Sequence, residues 1–172
     1  MNKKILLSGV HGVGKGYFIE SMVVDKYNVS IISASEVINR YKDCEDAGNK
    51  RVKDVQENQD IILDVLRNVN CDKTVVLDGH LIIISEGDTL QRIPEDYFKE
   101  GLFDTIILLQ DEPDKIHKRL YKRDGMYKID LSLISKIQEE ELSYAEELRK
   151  KGIALYIITP EVSEEQCKKI FG

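Results

Sequence analysis

Cysteine is scarce here, and what there is lies scattered. Cys44, Cys71 and Cys167 are the three, with no spacing that would ligate a metal. That excludes a disulfide framework and a zinc module, and it suits free thiols in a reducing compartment. Long hydrophobic runs are missing as well, so no segment approaches the length that crosses a bilayer. The opening Met-Asn-Lys-Lys could begin a signal peptide. The apolar stretch after it is only a few residues long and ends in glycines, which reads as a strand and makes the expected location cytoplasmic. Nor is there a basic excess: the net charge of −6 argues against nucleic acid or an anionic membrane as partner. Repeats, low-complexity tracts and linkers are absent. The 172 residues are 42% hydrophobic and 33% charged, an ordinary globular mix, and they are expected to form one domain over 1–172.

What is present is concentrated in residues 9–16, Gly-Val-His-Gly-Val-Gly-Lys-Gly, after the apolar Ile5-Leu6-Leu7. A glycine-rich loop between a strand and a helix cradles phosphate. Its backbone curls tightly and aims successive N–H groups at an anion, and the next helix adds its free donors and positive dipole end. Lys15 is placed to reach the terminal phosphates of a nucleoside triphosphate. The loop residues Gly9, Val10, His11, Gly12, Val13, Gly14, Lys15, Gly16 and Tyr17 are therefore the expected phosphate-binding set. Where the usual loop has Ser or Thr after the lysine to hold Mg²⁺, this one has Gly16.

The remaining pattern alternates short apolar strands with helices. Strands are expected over 3–7, 29–32, 73–77, 104–109 and 154–158. Helices are expected over 17–26, 36–41 (capped by Ser35), 52–69, 115–122 and 130–151 (ended by Gly152), with a last one opened by the Ser163/Gln166 capping box. Leu131, Ile134, Ile137, Ala145 and Leu148 are the expected inward face of the long helix. Strands without polar alternation, separated by helices, make a parallel sheet covered on both faces, with ligands beyond its carboxyl ends.

Three further groups carry candidate chemistry. Asp78 ends the strand Val75-Val76-Leu77, where an acid holds Mg²⁺ through water in phosphate-loop proteins. His80 follows it, facing substrate or simply exposed beside the turn. Between Lys115 and Lys128 the chain is strongly basic, with Arg119 and Arg123 on one helical face before Asp124-Gly125. Bidentate arginines there suit the charge that develops in phosphoryl transfer. Acceptor candidates follow the second strand and occupy the next helix: Ser35, Arg40 and Gln59, with Arg92 after the third strand. Arg40 and Arg92 would clamp an acceptor phosphate and Gln59 would read a base edge.

With loop, strand-end acid and arginine helix in this order, the chain resembles a phosphate-loop nucleoside monophosphate kinase. Its layout is similar to that of the short archaeal-type adenylate kinases and adenylate kinase-like ATP-binding proteins. The resemblance implies a three-layer α/β fold with five parallel strands in the order 2-3-1-4-5. It also implies a short lid at about 123–130, an acceptor region at about 33–69, and ATP with Mg²⁺ as donor. Two departures are visible: that family has threonine where Tyr17 stands, and Asp78-Gly79-His80 replaces a longer Asp-Gly-Phe-Pro-Arg stretch. The expected activity is transfer of the ATP γ-phosphate to a nucleotide, most simply AMP. The alternative is a nucleotide-binding switch or slow ATPase acting on a protein partner. A GTPase is disfavoured because Asn49-Lys50-Arg51-Val52 lacks the acid of an Asn-Lys-x-Asp guanine reader, and a AAA+ motor would need more chain. Small-molecule nucleotides are the expected partners, with either a monomer or an oligomer.

Overall fold

The computed structural model describes residues 3–45, 55–69, 72–99, 101–125 and 129–172. Five strands form one parallel sheet: β1 (Lys4–Ser8), β2 (Val29–Ser33), β3 (Thr74–Asp78), β6 (Thr105–Leu109) and β7 (Ala154–Ile158). Their order is β2-β3-β1-β6-β7, which is 2-3-1-4-5 among the sheet strands, as the resemblance implied. Pairing of Leu7 with Asp78, Ser8 with Leu108, and Ser33 with Asp78 brings the carboxyl ends of β1, β2, β3 and β6 to one edge.

The central strands are apolar on both sides because both faces are covered. One face packs Ile5, Leu7, Val76 and Ile107 against Val13, Phe18, Ile116 and Ile134, all buried. The other packs Leu6, Leu77, Ile106 and Leu108 against Ile62, Leu66, Tyr97, Tyr144 and Leu148. Each such fully buried aliphatic or aromatic side chain is worth about 1.5–3 kcal/mol relative to exposure. These layers leave one rigid edge on which the site is built.

Seven α-helices join the strands among the described residues: α1 (Lys15–Phe18), α2 (Ala34–Glu45), α3 (Val55–Asn68), α4 (Asp96–Lys99), α5 (Pro113–Asp124), α6 (Leu131–Lys150) and α7 (Glu164–Phe171). The helix expected over 17–26 is shorter than its pattern: α1 passes into a π-turn, Ile19–Val23, and ends where Val24 is extended and Asp25 has φ +64°. The start of α2 also differs. Its N-terminal amide at Glu36 donates to Ser33 Oγ at 3.4 Å, so Ser33 rather than Ser35 caps it. In α6 the cap is Asp130, which accepts from Leu133 N, and Leu131 is 38% exposed instead of buried. The capping box at Ser163 and Gln166 is formed as expected. An antiparallel hairpin, β4 (Ile82–Ser85) and β5 (Thr89–Arg92), was not foreseen; it turns at Gly87 and Asp88, both at positive φ. The expected start of α3 at 52, the turn at Gly48-Asn49, and the middle of the 123–130 segment lie outside the described residues.

Candidate active site

The loop between β1 and α1 crosses the edge of the sheet at its centre. Gly9 and Gly12 are needed there for steric reasons. A Cβ on Gly9 (φ +155°) would stand 2.8 Å from Leu109 O, and one on Gly12 (φ +82°) would stand 2.7 Å from Leu120 Cγ. The close approach lets β6 and α5 pack directly on the loop. Lys15 folds over it, donating from Nζ to Gly9 O at 3.1 Å, with Asp78 Oδ1 at 3.6 Å and His80 Nε2 at 3.3 Å. The loop, the end of β3 and the β3–β4 turn thus converge on one cation of α1.

The electrostatics of this cluster follow from burial. Burial holds the Lys15 ammonium below its usual range, against the pull of the Asp78 and Glu141 charges. Burial likewise raises the Asp78 carboxyl, opposed by Lys15. His80 is pushed well below the ordinary imidazole range by burial, then by Lys15 and His11. His11 is lowered by burial, then by Lys15 and Arg123. Both imidazoles are therefore neutral near pH 7, and their rings lie 4.4 Å apart, tilted by 43°.

Two cavities share His11 in their walls, and His80 lines one of them. One, of about 240 Å³, is lined by loop residues 10–16, Asp78 and Arg123. The other, of about 230 Å³, runs between α2, α3 and the β3–β4 turn, lined by Ser35, Asn58, Gln59, His80 and Tyr97 over an apolar floor. His11 lines both. A larger depression of about 790 Å³ lies beyond β6 and β7, around Asp111, Gln138 and Thr159. It includes no residue of the phosphate loop, so size does not make it the reaction site.

The other sequence candidates fall on both sides of this boundary. Tyr17 is 60% exposed and does not line the phosphate cavity. Arg123 lines it, with its guanidinium forked onto the Asp124 carboxylate at 2.8 and 3.0 Å. Arg119 donates to Val13 O at 3.2 Å and to Asp111 Oδ2 at 2.6 Å, so it braces the loop backbone. Gln59 accepts from the Tyr97 hydroxyl at 2.6 Å. Arg40 is exposed on α2, 3.8 Å from Glu36. Arg92 stands apart from both cavities: it is ion-paired to Glu140 and Glu147 of α6 and lies 4.8 Å from the Tyr144 ring centre.

Arg119 brings a first prediction. Burial works to raise the Asp111 carboxyl, but the hydrogen bonds from Arg119 and the Glu112 amide, with the Arg119 and Lys115 charges, hold it below its ordinary value. A depressed carboxyl contributes stability above its unfolded pKa and loses it as pH falls through the folded one. Arg119→Ala should therefore cost about 1 kcal/mol at pH 7, the scale of a partly exposed pair. The difference should narrow toward about pH 2, where only the bond to Val13 O remains; urea unfolding of both proteins at the two pH values checks it.

Asp78 also meets the first requirement for Mg²⁺. Among the described residues no group of three or more His, Cys, Asp or Glu could form an all-protein metal cage. The single carboxyl on the wall of the phosphate cavity suits the way Mg²⁺ binds, through one or two carboxylates, phosphates and water. Gly16 offers no hydroxyl to such an ion, and a Cβ added there would meet nothing within 4 Å.

Sequence reasoning missed Glu141. It is fully buried on α6, and its Oε1 accepts from Ser8 Oγ at 2.9 Å. A glutamate within an amphipathic helix carries no local signal; only the contact with the end of β1 singles it out.

A glycine-cradled loop, a buried lysine and a strand-end carboxyl on the central edge of a 2-3-1-4-5 parallel sheet define a phosphate-loop nucleotide-binding protein. The family described as "AAA domain" matches residues 8–150, and the chain belongs to that family. The fold is similar to that of a gluconokinase from Sinorhizobium meliloti 1021, with TM-score 0.54 and 14% identity over 97% of this chain and 87% of that one. No curated protein matches the chain. No helix among the described residues is long and apolar enough to cross a membrane.

Proposed function

We propose that the protein is a cytoplasmic small-molecule kinase that passes the γ-phosphate of ATP to an acceptor in the cavity between α2 and α3. The observation that carries this reading is the junction of the two cavities at His11. A donor phosphate on the loop and an acceptor beside His80 would approach each other beside His11, which lines both cavities. In this reading residues 1–172 act as one domain, with an acceptor region at about 33–69 and a short lid at about 123–130.

The chemistry asks little covalent work of the chain. The bond from the γ-phosphorus to its bridging oxygen breaks, a bond to the acceptor oxygen forms, and ADP leaves. Lys15 and Arg123 neutralise charge on the transferring group, Arg119 holds the loop through Val13 O, and Asp78 would hold Mg²⁺ through water. Mg²⁺ held there would supply positive charge against the phosphates.

A nucleotide acceptor, most simply a nucleoside monophosphate, is the first choice. The amides of Asn58 and Gln59 face an apolar slot of suitable size for a base, and Asn58 Oδ1 is buried with no partner. A hydroxyl acceptor without a phosphate is the second. It is favoured because no arginine or lysine lines that cavity among the described residues, and Arg92 is committed to α6. The neighbour's name, a gluconokinase, points the same way.

An ADP-release assay with ATP and Mg²⁺ against nucleoside monophosphates, nucleosides and sugar acids tests the proposal. One acceptor class should raise turnover at least about tenfold over the rate with water alone, a change of about 1.4 kcal/mol in barrier. Turnover that no acceptor raises would instead favour a nucleotide switch with a protein partner.

A further inference from the structure

Glu141 is a charged side chain type with no access to water, placed where the proposed kinase uses charge. Its relative exposure is 0%, and its Oε2 has no hydrogen-bond partner. Its Oε1 is held by Ser8 Oγ at 2.9 Å, and the same hydroxyl accepts from the Leu81 amide at 2.7 Å. Ser8 is the last residue of β1 before the phosphate loop, and Leu81 directly follows Gly79-His80. One buried chain of hydrogen bonds therefore joins α6, the start of the loop and the turn that presents His80.

Three groups among the described residues act on this carboxyl. From β1 comes the Ser8 hydroxyl, from the β3–β4 turn the Leu81 amide acting through Ser8, and from α1 the Lys15 ammonium, whose charge couples to it. Asp78 and His80 contact Lys15 itself. An isolated carboxylate in an apolar interior is costly, so the ionised form leans on the Lys15 charge. Phosphates arriving on the loop compete for that cation.

We propose that Glu141 is a positioning residue of the phosphate site: it ties α6 to the loop and the His80 turn through Ser8, and it takes up a proton when nucleotide phosphates claim the Lys15 charge. The inference rests on the loop binding nucleotide, not on which acceptor is used. The direction of its titration agrees. Burial pushes the carboxyl up to about 7, with the Ser8 hydrogen bond and Lys15 opposing. Loss of the Lys15 counter-charge to phosphate moves it higher still, so the protonated form binds nucleotide better and affinity gains as pH falls. The same upward shift means that stability is lost as pH rises from the unfolded value of this carboxyl through about 7, and the cost is complete above that. The Glu141→Gln variant, which keeps the acceptor for Ser8, should therefore be at least as stable as wild type at about pH 8.

Calorimetric titration of Mg·ATP in two buffers of different ionisation enthalpy reads the proton directly. Near pH 7 the wild type should take up more protons than E141Q, by a fraction of up to about one half for a group titrating there. Protonation of the nucleotide itself is common to both proteins and cancels in the difference. Equal uptake by the two proteins, with ATP bound, overturns the role of Glu141 and leaves the kinase proposal standing. Failure of the wild type to bind Mg·ATP overturns both. Ser8→Ala gives a second route. Without its donor the carboxyl should titrate higher, moving the uptake maximum to higher pH, and an unmoved maximum contradicts the link through Ser8.

Discussion

Lys15→Ala is expected to lower ATP turnover by about 10²–10³-fold, the usual scale for removing one preorganised charge from a developing anion. Lys15 is the cation on which the loop carbonyl of Gly9, the Asp78 carboxylate and His80 converge, and its side chain is 11% exposed. The water-poor setting makes its charge count for more than on an open surface. Its removal also leaves the Asp78 carboxyl without the cation that opposes its burial, so that group should protonate more readily. Steady-state kinetics with saturating ATP measures the effect. A variant within about threefold of wild type would mean that the loop binds phosphate without using the lysine in transfer.

Arg123→Ala should be nearly as severe, again about 10²–10³-fold in kcat, with a small change in the KM for ATP. Arg123 is the one arginine on the wall of the phosphate cavity among the described residues. Its fork is already set by Asp124 at 2.8 and 3.0 Å, so little order has to be created in the transition state. Arg123→Lys should recover little, because an ammonium cannot reproduce a bidentate contact. A loss confined to KM would assign Arg123 to ground-state binding of ATP. The change should also let the His11 imidazole rise toward its usual range, since Arg123 adds to burial and Lys15 in holding it down. An NMR titration of the His11 ring reads that shift.

Much of this architecture is legible from residues 9–16 and the five apolar runs, because a buried parallel strand has no polar alternation and a phosphate loop has few substitutes for glycine. Their order in the sheet came from resemblance, and the register confirms it. The hairpin over residues 82–92 escaped notice since Leu81-Ile82-Ile83-Ile84 lacks alternation, and its turn depends on Asp88 taking a positive φ that the sequence does not announce. Arg92 shows the limit at the site. An arginine after a strand reads as a phosphate clamp, yet two glutamates of α6, distant in sequence, take both sides of its guanidinium. Nothing in the loop pattern singles out the His11 ring; its packing against His80 and its place in the walls of both cavities do. Glu141 depends on one hydrogen bond to Ser8, across 133 positions of chain.

The central claim is that the two cavities form one reaction site, and the fate of the γ-phosphate tests it most directly. Single-turnover reactions with γ-labelled ATP, Mg²⁺ and the acceptor that stimulates ADP release should place the label on the acceptor, with little inorganic phosphate. Label recovered as inorganic phosphate whatever acceptor is present would contradict the account. The cavity between α2 and α3 would then not be an acceptor site.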